Sequence, residues 1–344
     1  MEGLDVLQKS TNGCPITAGS FRTFAISTKK NGHVTQCLAV ADLVGVKIEA
    51  VLQIRGLNKA LPDWQRELEK LYWIFPAIKM AWTFRKGEYL ILASGRSVLP
   101  ACRLIKFLRG NEVFILFIGS PKKWTTNCAD LMLRPQHERE LGVDEEKRYP
   151  WCPKQVWVNS PICNPLPVSK EEGCEVVILL GGLNITYGDE ISDYSDFLNR
   201  LDTISAQHSL SIIFSRRTKK SVQNAIKKRF APTNVKLIEA TDRQGFLNAC
   251  ESAGAFIVTP DSITMVVEAC ATGKPVYIPD LPVRRVETRN HRFIEMTIAK
   301  KYAKHFDGNI NFARSDIERK DIENARQVMT GYITSWSKEY VNQS

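Results

Sequence analysis

Residues 254–282 read GAFIVTPDSITMVVEACATGKPVYIPDLP, and this stretch decides the fold. An apolar run at 255–258 is followed by a polar turn and a helical pattern, and a second apolar run begins at Val276. Gly273 and Pro275 end the helical pattern. Two strand patterns that flank one helix form a βαβ unit, which predicts a parallel sheet with a right-handed crossover.

The helix of this unit predicts a buried stripe and a polar face. Apolar side chains recur at i, i+3, i+4 and i+7, namely Ile263, Val266, Val267 and Cys270. Asp261 and Glu268 are seven residues apart, so we expect them to share the opposite face near the carboxyl end of the strand. Parallel sheets bind ligands outside that end, and a helix N-terminus there favours anions. The alternative is that Asp261 is only an N-cap and Glu268 only a solvated helix residue.

Strand and helix patterns alternate along the whole chain. The strand patterns lie at 23–27, 47–54, 89–93, 113–118 and 130–133, and again at 175–180, 210–215 and 235–239. Prolines cluster between the two halves, and the chain after Arg292 has a helical pattern almost to its end. The pattern predicts an α/β fold with two Rossmann-like doubly wound domains that face a cleft. We place them at 1–158 and 175–312, with a linker at 159–174 and a helical tail at 313–344.

The composition favours a globular protein of a reducing compartment. The 344 residues are 44% hydrophobic, yet no apolar run approaches the roughly 20 residues that span a bilayer. The first residues lack the pattern of a secretory signal. Nine scattered cysteines include no CxxC pair, so they indicate free thiols and no zinc site. We therefore expect a cytoplasmic protein, peripheral at a membrane if it contacts one.

The positive charge is concentrated in the first half of the chain. Residues 1–160 hold 23 Lys and Arg against 15 Asp and Glu, and the remainder holds 24 against 22. This half would face an anionic partner such as a membrane surface, whereas no motif typical of nucleic-acid binding is present. Its helical stretch at 61–84 has an aromatic stripe beside Lys79, Arg85 and Lys86. The stripe could dock on an anionic membrane, but the commoner arrangement packs such a helix on its own sheet. The residues of the stripe are Trp64, Leu68, Leu71, Tyr72, Phe75, Ile78 and Trp82.

Polar turns at the strand ends of the second half suggest a nucleotide-diphosphate site. Glycines let a ligand approach the backbone, an arginine fork pairs with a diphosphate, and an acid in the following helix accepts hydrogen bonds from a ribose. The candidates are Gly181, Gly182, Ser215, Arg216, Arg217, Thr218, Thr259, Asp261, Ser262 and Glu268. Thr218 could also cap the next helix. The spacing fits neither a Walker loop nor a GxGxxG fingerprint, and a plain tight turn would also explain the two glycines.

The first half supplies candidates for a general base. His33 opens a helix after the first strand, and His137 with Glu138 follows a later strand. Either imidazole could take a proton near neutral pH, and Glu138 could tune or replace His137. The alternative is that all three are structural loop residues.

Six motifs in the same order resemble the mitochondrial fission ELM family. They are NGHVTQCLAVADLVG, ASGRSVLPACRLIK, ADLMLRPQHE, VILLGGLN, IIFSRRTKKS and VTPDSITMVVEACATGKPVYI. The resemblance implies a two-domain fold like that of the glycosyltransferase-B group, in which an acid at the position of Glu268 contacts the ribose of a nucleotide-sugar. Residues 135–138 read PQHE where the family more usually has Pro-Glu-His-Asp. Plant members of the family act as adaptors that bring a dynamin-related protein to mitochondria.

Three functions therefore remain open. One is a metal-independent glycosyltransferase without a cofactor, in which a nucleotide-diphosphate sugar is the donor and His33 or His137 takes the acceptor proton. The other is a non-catalytic adaptor that recruits a dynamin-related GTPase to an organelle, which in a eukaryote would be the outer mitochondrial surface. A sugar-nucleotide epimerase would use the same fold and is a third candidate.

Overall fold

The structure of the chain is a computed structural model. It describes residues 21–28, 31–54, 74–83, 87–120, 128–139, 154–169, 171–182, 184–313 and 320–343. The chain divides into two compact units, Met1–Cys163 with Arg319–Ser344 and Asn164–Glu318. Each unit contains one six-stranded sheet in which every pair of neighbouring strands is parallel. The predicted pair of parallel α/β sheets is therefore confirmed.

The first unit alternates strands and helices and ends with the last helix of the chain. Its elements are β1 (Arg22–Thr28), α1 (Asn31–Val44), β2 (Ile48–Ile54), α2 (Ile74–Thr83), β3 (Tyr89–Ser94), α3 (Leu99–Arg109), β4 (Val113–Ile118), β5 (Leu131–Pro135), β6 (Gln155–Val158) and α9 (Lys320–Gln343). The strand order is β2-β1-β3-β4-β5-β6. The chain reverses its direction of travel across the sheet between β1 and β3, and doubly wound sheets bind ligands at such a switch point.

The sheet of the first unit is apolar on both faces because helices cover both. Successive side chains of a strand point to opposite faces. In β4, Val113, Ile115 and Phe117 accordingly enter one hydrophobic cluster with α2 and α3. Phe114, Leu116 and Ile118 enter a second cluster with α1 and α9. This explains why β4 reads as an unbroken apolar run rather than an alternating one.

The last helix belongs to the first unit, whereas the sequence pattern places it in a tail after the second domain. Ala325, Met329 and Ile333 of α9 recur every four residues and are buried in the second cluster. The Trp336 indole nitrogen donates to the Asn111 carbonyl at 2.9 Å. The division between units falls at Cys163, within the segment predicted as a linker.

The second unit has the strand order of a dinucleotide-binding domain. Its elements are β7 (Glu175–Leu180), α4 (Ser195–Ser205), β8 (Leu210–Phe214), α5 (Lys220–Phe230), β9 (Lys236–Ile238), α6 (Arg243–Ser252), β10 (Ala253–Val258), α7 (Ile263–Cys270), β11 (Val276–Ile278), α8 (Arg289–Ala299) and β12 (Lys304–His305). The strands run β9-β8-β7-β10-β11-β12, which is the order 3-2-1-4-5-6 within the unit. Its switch point lies between β7 and β10.

Some helical expectations differ from the structure. The continuous helix predicted after Arg292 is wrong, because α8 ends at Ala299 and Lys301 has a positive φ of 61°, which turns the chain into β12. Most of the aromatic stripe lies outside the described residues, as do Arg85 and Lys86. No helix in the described ranges combines the length and the apolar character that crossing a bilayer requires.

Candidate functional site

All the predicted nucleotide-binding residues except Glu268 lie at the carboxyl ends of three neighbouring strands. Gly181 and Gly182 follow β7, Ser215 to Thr218 follow β8, and Thr259 to Ser262 follow β10. β7 lies between β8 and β10, so the three turns meet at the switch point of the sheet. The topology therefore brings these predicted site residues to one edge.

Asp261 joins the turns after β7 and β10. Its carboxylate accepts from the Gly182 amide at 2.7 Å and from the Thr259 hydroxyl at 2.6 Å, and Thr259 Oγ1 in turn accepts from the Gly181 amide at 2.8 Å. The residue is only 4% exposed. Burial raises the pKa of Asp261 above its usual value, while the hydrogen bonds from Thr259 and Gly182 and the nearby Arg217 charge oppose that rise.

The two glycines are required by contacts within the protein itself. A Cβ atom at Gly181 would lie 1.8 Å from Asp261 Oδ2. A Cβ atom at Gly182, whose φ is +140°, would lie 2.5 Å from the Arg217 carbonyl oxygen. The glycines thus let Asp261 and the SRRT turn pack directly against the backbone after β7. Close approach of a ligand is not needed to explain them.

Thr218 closes the turn after β8 and does not cap α5, so its predicted capping role is wrong. Its hydroxyl lies 2.7 Å from the Gly181 carbonyl oxygen and 3.0 Å from that of Leu180, and it accepts from the Ser215 amide at 2.9 Å. The N-cap position is Lys219, which makes no side-chain capping bond. Ser215 Oγ accepts from the Arg217 amide at 3.1 Å. The turn is therefore held by short local bonds that leave the arginine side chains outside.

The basic residues of this turn stand at the positive end of a helix dipole. Arg216 and Arg217 are exposed, and Arg217 lies 3.8 Å from Asp261 Oδ2. Lys219 is held by Asp189 at 3.0 Å and Glu190 at 2.6 Å. The first turn of α5 contains no acidic residue. Cations at a helix N-terminus cost about 0.3–1 kcal/mol each, and a bound anion would offset that cost.

The helix after β10 begins later than was assumed when Asp261 and Glu268, seven residues apart, were placed on one helix face. α7 starts at Ile263, and Ser262 is its N-cap residue without a side-chain capping bond. Asp261 lies outside the helix, so the prediction that it shares a helix face with Glu268 is wrong. Val266 and Val267 are buried as predicted, together with Ala269, but Ile263 and Cys270 are only half-buried.

Glu268 lies in a different environment from Asp261. Its carboxylate raises the pKa of the Cys250 thiol on α6, after the larger effect of burial, and its backbone carbonyl accepts from the Leu166 amide at 3.2 Å. Burial raises the pKa of Glu268 to about 7. No hydrogen bond to this carboxylate is found in the part of the chain that the structure describes.

Replacing Glu268 by Gln should remove a pH-dependent loss of stability. The folded pKa of about 7 is above the ordinary value of 4.5, so Glu268 costs no stability below pH 4.5 and destabilises the fold as pH rises through 7. We expect Glu268→Gln and the wild type to melt alike near pH 4.5. At pH 8 the variant should be more stable by about 1–3 kcal/mol, a range reduced for solvent screening. Equal melting temperatures at pH 8 would contradict the burial of this charge.

Two segments that the sequence analysis missed cover Asp261. The Asn184 and Asn290 amide groups donate to the Asp261 carbonyl at 2.6 and 2.8 Å. The Thr186 and Thr288 hydroxyls lie 2.9 Å apart, and the Tyr187 hydroxyl lies 3.4 Å from His291 Nδ1. A capping threonine before a helix, in TRNH at 288–291, was the available signal for the second segment.

His33 lies at the switch point of the first sheet. Its Nδ1 atom is 2.5 Å from the Thr28 hydroxyl at the end of β1. A Cβ atom at Gly95, which follows β3 and has a φ of +98°, would lie 2.6 Å from the same nitrogen. Gln36 accepts from the Ser94 hydroxyl at 3.0 Å beside it. Thr28 and Gly95 thus fix the position of an imidazole that stays partly exposed.

His137 and Glu138 lie elsewhere on the same edge. They belong to a short 3-10 turn after β5, where His137 is buried. β3 and β4 separate β5 from β1, so the strand ends that carry His137 and His33 are about 14 Å apart. The two imidazoles therefore do not form one catalytic pair. Arg134 was not among the predicted site residues. It is buried on β5, donates to Ser120 Oγ at 3.0 Å and stacks on the Trp157 ring.

No group of three or more His, Cys, Asp or Glu side chains arranged to hold a metal ion occurs among the described residues.

Solved structures with similar architecture support the fold. A trehalose-6-phosphate synthase, OtsA, is 9% identical with a TM-score of 0.52, and the alignment covers 94% of this chain and 98% of that one. The UDP-GlcNAc 2-epimerase from Methanocaldococcus jannaschii is 13% identical with a TM-score of 0.50. The alignment covers 90% of this chain and 92% of the epimerase. The predicted glycosyltransferase-B-like fold class is therefore confirmed.

A family model described as Mitochondrial fission ELM1 matches residues 31–331. The Mitochondrial fission protein ELM1 of Arabidopsis thaliana is 24% identical over 234 residues, which are 57% of this chain and 52% of that protein. The chain thus spans about half the length of the curated relative it matches. Because the family model covers most of the sequence, the chain belongs to the mitochondrial fission ELM1 family.

Proposed function

We propose that the second unit binds a nucleotide-diphosphate sugar and that the protein transfers the sugar, with arginines rather than a metal ion neutralising the diphosphate. The observation that carries the proposal is the SRRT turn. It presents Arg216 and Arg217 to solvent at the N-terminus of α5, at the switch point of a sheet with dinucleotide-binding strand order. A diphosphate there would meet two guanidinium groups and the positive end of a helix dipole.

The other residues have supporting roles in this proposal. Asp261 holds the turns after β7 and β10 in place and does not contact the ligand, because its two carboxylate oxygens are engaged by Thr259 and Gly182. Glu268 accepts hydrogen bonds from the ribose, which would compensate the desolvation of its carboxylate. His33 takes the acceptor proton, since its ring is partly exposed while that of His137 is buried. The name of the structurally similar UDP-GlcNAc 2-epimerase is consistent with such a donor.

Calorimetric titration with uridine, guanosine and cytidine diphosphates tests the proposal. We expect one of them to bind the wild type. The double variant Arg216→Ala/Arg217→Ala should bind it at least about 100-fold more weakly, because charged hydrogen bonds contribute about 1.5–3 kcal/mol each and two arginines are removed. Both arginines are exposed, so the melting temperature should change little.

Lys228→Ala is the matched control for this titration. Lys228 is exposed on the same helix, about 12 Å from Lys220 along its axis, and should leave affinity unchanged. If no diphosphate binds, or if the double variant and Glu268→Ala bind as tightly as the wild type, the proposal is wrong.

An adaptor function is the second candidate, and the family favours it. The curated relative is named as a mitochondrial fission protein. In this reading the chain recruits a dynamin-related GTPase and no longer transfers sugar. A pull-down with a purified dynamin-related protein separates the two candidates. Partner binding that survives Arg216→Ala/Arg217→Ala, in a chain that binds no diphosphate, supports the adaptor.

A further inference from the structure

Two large aromatic side chains of the first unit are almost fully exposed. Trp82 on α2 is 82% exposed and Phe107 on α3 is 84% exposed. Aromatic side chains of this size have about 150–250 Å² to bury, so the pair leaves roughly 300 Å² of apolar surface in water. A patch of this size on a monomer is often functional.

The packing of α2 and α3 places both aromatics at the same end of the helix pair. The guanidinium Nε of Arg109 donates to the Ala81 carbonyl at 3.0 Å, which joins the last turn of α3 to the last turn of α2. Trp82 follows Ala81, and Phe107 lies two residues before Arg109. Leu108, 43% exposed, extends the same end.

The helices α2 and α3 bury other apolar side chains and leave Trp82 and Phe107 facing outward. α2 enters the core through Ala77 and Ala81, and α3 enters it through Leu99, Ala101, Cys102 and Ile105. Burial alone would have selected Trp82 and Phe107 for the inside, since they carry the most apolar area. Trp82 and Phe107 therefore stay exposed although α2 and α3 both pack into the core, and they are available for another apolar surface.

The charge around Trp82 and Phe107 indicates which kind of partner surface these aromatics would contact. α2 and α3 carry the basic residues Lys79, Arg103, Lys106 and Arg109 and no acidic residue. Lys106 is held by Asp130, and Arg109 by Glu112. Lys79 and Arg103 are exposed, three residues before Trp82 and four before Phe107, so each lies on the same helix face as its aromatic neighbour.

We propose that Trp82, Phe107, Lys79 and Arg103 form a docking surface for an anionic lipid bilayer. Tryptophan and phenylalanine enter the boundary between headgroups and acyl chains, while the lysine and arginine pair with anionic headgroups. The proposal does not depend on the nucleotide site, which lies in the other unit.

Vesicle sedimentation tests the surface with the full chain. The wild type should bind vesicles of phosphatidylcholine with phosphatidylserine, and bind vesicles of phosphatidylcholine alone much more weakly. Trp82→Ser/Phe107→Ser should reduce binding at least about tenfold. Lys79→Glu/Arg103→Glu should reduce binding by at least about fivefold for each residue and abolish most of the salt dependence. Val328→Ser, at an exposed apolar residue of α9, is the matched control and should bind like the wild type.

Fluorescence locates the contact on the protein. Brominated acyl chains should quench the tryptophan fluorescence of the wild type. The quenching should be weaker in Trp82→Phe, which keeps an aromatic ring and so still binds the same vesicles. All variants change exposed side chains, so their melting curves should match the wild type. The proposal is overturned if the wild type does not bind anionic vesicles, if the double serine variant binds them equally well, or if Trp82→Phe is quenched like the wild type. Self-association through Trp82 without vesicle binding would assign the surface to a second copy of the chain.

Discussion

Gly181→Ala should destabilise the second unit by about 3 kcal/mol and abolish diphosphate binding. The new methyl group would lie 1.8 Å from Asp261 Oδ2 and 2.3 Å from Asp261 Cγ, so the aspartate side chain must leave its place. That movement breaks its bonds to Gly182 and Thr259, in addition to the cost of overpacking. The melting temperature of the unit should fall by roughly 6–12 °C.

Gly331→Ala provides the control for this substitution. Gly331 lies within α9, and apart from its chain neighbours and its own helix backbone no atom lies within 4 Å of the position of its added Cβ. An alanine there should be neutral or should stabilise the helix by up to about 1 kcal/mol. If Gly181→Ala melts like the wild type and still binds a nucleoside diphosphate, Asp261 does not pack against this glycine and the description of the site is wrong.

Asp261→Ala should cost about 3 kcal/mol, whereas Asp261→Asn should cost about 1 kcal/mol. Alanine leaves the buried Gly182 amide without its acceptor and removes the partner of the Thr259 hydroxyl. Asparagine keeps the shape and one acceptor, and the Thr259 hydroxyl can turn to the Leu179 carbonyl at 3.3 Å. Thermal melting of both variants measures the difference.

The pH dependence adds a second check on Asp261. Its pKa is raised in the folded state, so the wild type loses stability as pH rises through that value, while asparagine does not titrate. The difference in unfolding free energy between the wild type and Asp261→Asn should therefore become smaller as the pH rises from acidic to neutral. Asp196→Ala, at an exposed position in the first turn of α4, should change stability by less than about 1 kcal/mol and serves as the control. If Asp261→Ala and Asp261→Asn lose the same unfolding free energy, the hydrogen bonds of Asp261 are not the source of its contribution to stability.

The architecture could be predicted from the sequence because it depends on local patterns. Unbroken apolar runs such as the one at 113–118 occur where a strand is covered on both faces, and glycine or proline marks the ends of the elements. The sheet on which α9 packs could not be predicted, because the apolar residues of this helix identify its buried face but not the sheet that the face covers. Likewise, nothing local marks the short β12, whose two residues are exposed and pair only with β11.

The grouping of the three turns at one edge of the sheet could be predicted, but the contacts among their residues could not. The carboxyl ends of parallel strands meet at one edge, so the turns at 181–182, 215–218 and 259–262 could be grouped from the order of elements alone. The partners of Asp261 could not be read from the helical spacing, because α7 begins two residues after it. The role of Gly181 likewise depends on a contact 80 residues away in the chain.

The central claim is that the edge formed by the turns after β7, β8 and β10 holds a nucleoside diphosphate. A crystal structure of the chain with the diphosphate that binds in calorimetry tests it most directly. We expect the phosphates within hydrogen-bond distance of the Arg216 and Arg217 guanidinium groups, beside the first turn of α5, and a ribose hydroxyl on the Glu268 carboxylate. A nucleotide bound on any other surface, or phosphates that contact neither arginine, would contradict the claim.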